Sequence, residues 1–185
     1  MDANTTDESL MLEYAGGSYE AFETLYARHK GPVLRFYRRQ TGTAAEELMQ
    51  EAFIRLIKVH EKYTQTASFR TYFWTIVRTT LVDYYRKLNR SLPESYNDAD
   101  PDQILADERI QPDISADHSR QVQRLLLLVA DLPSAQREVF LLREEAGLSL
   151  PEIAEVAGTS VDTVKSRLRY AITKLRHGME VADER

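Results

Sequence analysis

The chain has 185 residues, with 24 Lys+Arg against 29 Asp+Glu, a formal charge of −5 and no cysteine. A disulfide framework and a thiolate metal site are therefore excluded, and the four histidines (29, 60, 118, 177) are too far apart in sequence to pair as metal ligands. The longest apolar run, Leu125 to Ala130, is too short to cross a bilayer, and the start Met1-Asp2-Ala3-Asn4 is unlike a secretory signal, so the expectation is a soluble cytoplasmic protein without membrane insertion.

Seven glycines and long stretches of 3.6-residue apolar period predict an all-α chain. A first helix is expected over Asp7–Ala15, stopped by Gly16-Gly17. Ser18 should cap a second, running through Phe22, Leu25 and Tyr26, which Gly31-Pro32 is expected to kink or break before it resumes toward Gln40. Thr43 and Glu46 have the spacing of a capping box for a third helix with Leu48, Ala52, Leu56 and Val59 on one side. After the polar stretch Tyr63–Ala67, Ser68 starts a long helix to about Arg90, with Phe69, Phe73, Ile76, Thr80 and Tyr84 as its expected buried stripe.

Residues 91–117 read as a linker, with Pro93, Pro101 and Pro112 amid Asp, Asn and Ser. Between Ser91 and His118 stand eight acids and one base, a net of −7. The rest of the chain sums to +2, since −5 minus −7 is +2. The overall acidity thus masks two nearly neutral units, each with a basic helix. The expected division is 1–92, a linker over 93–117, and 118–185.

Helices are expected at about 118–130, 134–146, 149–157 and 160–177. Ser149 and Glu152 form a reciprocal capping box, and Gly158 follows Ile153–Ala157 where a left-handed cap needs a residue without Cβ. Ser160 then caps a helix whose Val164, Leu168, Ile172 and Leu175 recur at helical spacing. The other face carries Lys165, Ser166, Arg169 and Tyr170; Arg167 lies near the packed side and is read as structural. Residues 160–177 hold five Lys/Arg against one acid, Asp162. This is a helix-turn-helix whose second helix suits duplex DNA.

The helix from Phe69 to Arg90 carries Arg70, Arg78, Arg86, Lys87 and Arg90 against one acid, Asp83, interleaved with Tyr72, Trp74 and Tyr85. Positive charge alone binds a duplex, whereas rings beside the charges suit unstacked bases, at roughly 1–3 kcal/mol per stack.

Two basic helical domains on an acidic tether resemble an RNA polymerase sigma factor of the extracytoplasmic-function (ECF) group. Leu10-Met11 through Gly16-Gly17, Ala21-Phe22, Leu25-Tyr26 and Arg28-His29 match the start of the family's domain two. Glu47–Leu56 resembles its polymerase-binding helix, and Phe69–Phe73 with Ile76 and Asp83 its −10 element helix. Leu132-Pro133, Arg137–Leu142 and Gly147–Ser149 through Lys174–Arg176 resemble domain four. The resemblance implies a domain-two bundle and a domain-four helix-turn-helix joined by an acidic extended linker.

It also implies roles. In domain four, Lys165, Ser166, Arg169 and Tyr170 would meet base edges of the −35 element, with Thr163 and Lys174 nearer phosphates. In domain two, Lys62, Tyr63, Arg70, Tyr72, Trp74, Arg78, Arg86 and Lys87 would hold the melted −10 strand. Glu46, Glu47, Met49, Gln50, Glu51, Phe53 and Arg55 would dock on core RNA polymerase, at the clamp of the β′ subunit, with β as a further contact. No residue would perform chemistry, and no cofactor or metal is expected. An anti-sigma factor masking both domains is the usual control in the family, and such a partner is one way the otherwise cytoplasmic chain could be held at the membrane.

Three departures from the family pattern stand out. Ala44-Ala45-Glu46-Glu47 replaces a common Asp-Ala-Glu-Asp run, Tyr72 stands where Trp is common, and Thr79 where Asn is. The lost acid implies weaker affinity for polymerase. A phosphate placed on Thr64 or Thr66 by a regulatory kinase would add about −1.5 to −2 charge near that patch. Two rival readings remain at the level of sequence. A stand-alone helix-turn-helix regulator would leave the basic aromatic helix without a purpose. An enzyme built on Glu46, Glu47 and Glu51 would lack a partnering His or nucleophile.

Overall fold

The computed structural model describes residues 5–64, 68–90 and 120–183, and every regular element among them is a helix. The N-terminal unit comprises α1 (Asp7–Ala15), α2 (Tyr19–Thr41), α3 (Ala45–Val59) and α4 (Phe69–Arg90). The C-terminal unit comprises α5 (Arg120–Ala130), α6 (Ser134–Glu144), α7 (Leu150–Ala157) and α8 (Val161–Asp183). The expected linker over 93–117 lies outside the described residues, as does Thr66. Among the described residues no helix is long and apolar enough to cross a membrane.

Thr6 caps α1 by accepting from the Ser9 amide, and Asp7 ties that helix to α2. One Asp7 oxygen accepts from Arg28 Nη1 at 2.8 Å and the other lies 2.7 Å from His29 Nε2. The core between α1 and α4 is built from Leu10, Met11, Leu25, Phe36, Leu56, Phe69, Phe73, Trp74 and Leu81, all essentially without solvent contact. Each such side chain contributes roughly 1.5–3 kcal/mol by leaving water. The buried tyrosines keep their hydroxyls satisfied: Tyr37 donates to the Val77 carbonyl and Tyr85 to that of Gln40.

Two local expectations are corrected. Helix α2 runs unbroken through Pro32. The proline removes one backbone hydrogen bond, while Leu25 and His29 before it and Val33, Phe36 and Tyr37 after it are buried, so packing on both sides outweighs the loss. The Thr43–Glu46 capping box does not form. A 3-10 turn, Gly42–Ala44, precedes α3, whose N-cap is Ala44 without a side-chain bond, and Glu46 pairs instead with Arg38 at 3.2 Å.

In the C-terminal unit the capping box is present: the Glu152 amide donates to Ser149 Oγ and the Ser149 amide to Glu152 Oε2. Gly158 adopts φ 64°, ψ 38°, the left-handed region, and ends α7 as expected. The Thr163 amide donates to Ser160 Oγ, starting α8. Arg137 is buried and donates to the carbonyls of Val129, Ala130 and Leu132, satisfying the end of α5 and the turn after it. Burial holds its guanidinium below the usual arginine range.

Helix α5 crosses α8 closely. A Cβ on Gly178 would stand 2.5 Å from Leu128 Cδ2, and Arg124 donates twice to the Gly178 carbonyl. The two units also touch, with α7 lying against α4 and α6 against α2.

Candidate nucleic-acid interface

Helix α8 buries Val164, Ala171 and Leu175, with Leu168 packed against the same core. Ile172, expected in that stripe, is exposed instead. The steps 164, 168, 171 and 175 follow 3.6 residues per turn, and Ile172 falls about 70° from the centre of that stripe. Lys165, Arg169 and Tyr170 lie outside, and Ser166 and Thr163 are half-buried at the edge. The Arg169 guanidinium lies 5.2 Å from the centre of the Tyr170 ring, which orients both groups outward together. Lys165 reaches back to Asp162 at 3.3 Å, a solvent-exposed pair that a phosphate could displace readily. Lys174 is engaged differently, 2.9 Å from Asp131 Oδ2 and donating to the Asp131 carbonyl.

A shallow depression beside these groups is lined by Leu150, Lys165, Leu168, Arg169, Ile172 and Arg176. Ile172 and Arg176 thus belong to the candidate reading surface although sequence reasoning assigned them no part in it. Ile172 reads as core from its spacing to Leu168 and Leu175, and the true phase of the helix sets it at the surface.

The −10 candidates are corrected in part. Trp74 is 1% exposed and stands edge-on to Phe36, with 5.2 Å between ring centres, so no face of it meets a base in this structure. Tyr63 is also buried, edge-on to Phe69 and Tyr72, and its burial pushes the phenol up from its ordinary value. Tyr85 joins them in the core. The physical reason is shared. Helix α4 is packed by α1, α3 and α7, so its buried arc is wide and takes in Phe69, Phe73, Trp74, Val77, Thr80, Leu81 and Tyr85. Ile76 and Tyr84, expected in the stripe, are only partly buried.

Tyr72 remains half-exposed at the rim, and Lys62, Arg70, Arg86 and Lys87 are exposed. Arg86 is 3.7 Å from Asp83. Arg78 is bound by Glu138 of the C-terminal unit at 2.9 Å, and Arg70 reaches the Gly147 carbonyl at 3.3 Å. A largely apolar groove between α3 and α4 is lined by Arg55, Lys58, Val59, Thr75, Ile76 and Thr79. Thr79, noted as a departure from the family pattern, is therefore at its wall.

On α3, Glu47 and Gln50 are exposed, Met49 and Glu51 half-buried, and Glu46 held by Arg38. Phe53 does not face a partner: it is 4% exposed and packs on Tyr26 and Phe73. Arg55 is held by Glu51 at 2.9 Å and Asp83 at 2.7 Å. Burial works against its charge, but these two carboxylates hold its value above the ordinary one. Ile54, at helical spacing from Glu47, Gln50 and Glu51, is exposed among them. Its signal in the sequence is an apolar side chain amid charged neighbours on one helix face. Thr64 is exposed beside the end of α3.

Among the described residues no three His, Asp or Glu side chains gather to hold a metal ion.

Comparison with known proteins agrees with this arrangement. The family described as Sigma-70 region 2 matches residues 25–91, and that described as Sigma-70, region 4 matches residues 122–175. The ECF RNA polymerase sigma factor SigC of Mycobacterium tuberculosis is 31% identical over 180 residues, covering 92% of each chain. SigW of Bacillus subtilis is 30% identical, covering 86% of this chain and 89% of its own. Among solved structures, RpoE of Bartonella quintana in complex with the anti-sigma factor NepR superposes with a TM-score of 0.70 at 20% identity, covering 86% of this chain and 97% of that one. CnrH in complex with the cytosolic domain of CnrY gives 0.65 at 22%, covering 95% and 97%. These two show a shared fold.

Proposed function

This chain belongs to the ECF group of RNA polymerase sigma factors, and from that premise we propose how its residues divide the work. As a member of that group it binds core RNA polymerase, recognises −35 and −10 promoter elements and directs transcription initiation. Residues 118–185 act as the duplex reader. Lys165, Ser166, Arg169 and Tyr170 approach base edges in the major groove, joined by Ile172, and Thr163, Lys174 and Arg176 approach phosphates. The observation that carries this assignment is the exposed Lys165–Arg169–Tyr170 face on a helix capped by Ser160.

Residues 1–92 hold the opened strand. Arg70, Arg78, Arg86, Lys87 and Lys62 supply charge along α4, and Tyr72 at its rim supplies the stacking face. The groove walled by Ile76 and Thr79 has room for a base drawn out of the stack. Trp74 and Tyr63 support this surface from beneath. Glu47, Gln50, Glu51 and Ile54 form the polymerase contact on α3, and Glu46 joins once Arg38 releases it. The acidic stretch 93–117 is the tether between the two units. We assign no catalytic residue: the polymerase makes the bonds, and this chain supplies address and strand opening.

Control by an anti-sigma factor that covers both DNA-facing surfaces belongs to the same proposal, with the chain otherwise cytoplasmic. A kinase acting on Thr64 or Thr66 is a second route to control, for which the exposed Thr64 offers an accessible hydroxyl.

Run-off transcription with purified core polymerase on a promoter library tests the whole assignment. Initiation at defined positions, abolished by Lys165→Ala/Arg169→Ala, is expected. Tight operator binding without polymerase, and no initiation with it, would replace this reading by that of a stand-alone regulator.

A further inference from the structure

The groove between α3 and α4, about 300 Å³ in volume, is largely apolar although four of its six lining residues, Arg55, Lys58, Thr75 and Thr79, carry polar groups. Those groups are turned elsewhere. The Thr75 hydroxyl donates to the Thr71 carbonyl at 2.9 Å, and the Thr79 hydroxyl to the Thr75 carbonyl at 2.8 Å. The Arg55 guanidinium is held by Glu51 and Asp83, and Lys58 is exposed at the rim. What the groove offers is therefore the methyl groups of Thr75 and Thr79, the side chains of Val59 and Ile76, and the stems of Arg55 and Lys58.

Tyr72, Thr75, Ile76 and Thr79 stand at i, i+3, i+4 and i+7 on one face of α4, so the half-exposed Tyr72 ring is one turn from the groove. A base entering here meets methyl groups and finds few partners for its N–H groups, and a donor left without a partner loses its hydration for nothing. Among the four DNA bases thymine brings the fewest donors, a single ring N–H, and it alone carries a methyl, at C5. We propose that Thr75 and Thr79, with Val59 and Ile76 beside them, make the groove selective for thymine by packing their methyls on its C5-methyl. The inference rests on the assignment of α4 to the opened strand, and it names the base that the strand presents at this groove. Lys58 at the rim meets the adjoining phosphate, and the neighbouring base stacks on Tyr72. Cytosine has an amine in place of a carbonyl and no methyl, and is disfavoured on both counts.

Short pyrimidine homopolymers separate the methyl from the rest of the base. The probes are oligo(dT), oligo(dU), oligo(dC) and oligo(5-methyl-dC), each end-labelled with the same dye. Their binding to the full chain saturated with core RNA polymerase is read by fluorescence anisotropy, against core polymerase alone. The complex is expected to favour dT over dU about fourfold, and 5-methyl-dC over dC by a similar factor, which is what burying one methyl is worth. Thr75→Ser/Thr79→Ser keeps both hydroxyls, removes both methyls and should abolish these preferences. Thr75→Val/Thr79→Val keeps both methyls, removes both hydroxyls and should retain them. Should the double serine variant fail to fold, Thr79→Ser alone carries the same test, with the preference reduced about twofold.

Equal affinity for dT and dU in the unaltered complex overturns the proposal. So does a preference that survives undiminished in the serine variants, since another part of the complex would then read the methyl. Thr79→Leu, which narrows the groove without adding charge, distinguishes that failure from failure of the underlying assignment. If it weakens all four probes while the unaltered complex ignores the methyl, the groove holds a base without selecting thymine, and only the proposal falls. If it leaves all four unchanged, the groove lies off the path of the strand, and its assignment as a base site falls as well.

Discussion

Helices α4 and α8 are nearly equal in length, 22 and 23 residues, and both carry a row of basic side chains with aromatics among them. They present those aromatics oppositely. Tyr170 on α8 is 56% exposed and lies against Arg169, whereas Trp74 and Tyr85 on α4 are buried. The reason is the width of the arc each helix buries. Helix α8 meets α5, α6 and α7 along one narrow stripe, Val164, Ala171 and Leu175, while α4, set against α1, α3 and α7, buries Phe69, Phe73, Trp74, Val77, Thr80, Leu81 and Tyr85. Composition therefore reports the charge of a helix faithfully, but the width of its packed arc decides whether a ring serves the core or the surface.

The largest expected effect tests that contrast on α4. Trp74→Ala should destabilise the N-terminal unit by about 3–5 kcal/mol, as for other large-to-small changes in a packed core. Guanidinium denaturation followed by circular dichroism measures it, and an unchanged midpoint would mean that the ring is a surface residue after all. The corresponding change on α8 should act on binding only. Lys165→Ala/Arg169→Ala is expected to weaken binding to −35 duplex about a hundredfold, with a shallower salt dependence and unaltered melting. A loss of stability there would erase the distinction between the two helices.

Smaller effects sharpen the comparison at the helix starts. Asp7 is held at about 2 against an ordinary 3.8, chiefly by its hydrogen bond to His29, which outweighs its burial, with Arg28 adding to the effect. Because the folded value is the lower one, its contribution is complete above about pH 4 and is lost as the pH falls toward 2. Asp7→Asn should therefore cost about 1 kcal/mol at neutral pH, partial wetting of the site reducing the full figure, and remove part of the acid sensitivity of melting. In the C-terminal unit, Glu152 is lowered mainly by the Ser149 hydroxyl, against its burial, with the Ser149 amide, Ser68 and Thr71 contributing. Glu152→Gln should cost about 1 kcal/mol of the unit's stability near neutral pH, read from its thermal midpoint.

Features governed by short-range chemistry were legible in the sequence. The Ser149–Glu152 box, the left-handed Gly158, the stop at Gly16-Gly17 and the start at Ser68 all depend on residues within a few positions of one another. What escaped depends on distant partners. Pro32 reads as a break until the burial of residues on both sides is known, and Thr43 reads as a cap until the chain tightens into a 3-10 turn before α3. The candidate sites divide in the same way. Lys165 and Arg169 follow from helical phase, whereas Phe53, Tyr63 and Trp74 were assigned to partners because their burial is decided by neighbouring helices. Glu138 and Glu145 stand equally in plain view, but the cations they bind, Arg78, Arg35 and Arg39, lie 60 to 110 positions away.

The crossing at Gly178 has a mechanical consequence. Helix α5 is the first element of the C-terminal unit, and Arg124 and Leu128 fasten it to α8 several turns beyond Lys165 and Arg169. A pull transmitted through the preceding chain is thus borne at the far end of the reading helix, like a handle set well back from the teeth of a key. The module can be carried, swung or tugged by whatever holds the rest of the protein while the contacts made by its working end keep their alignment.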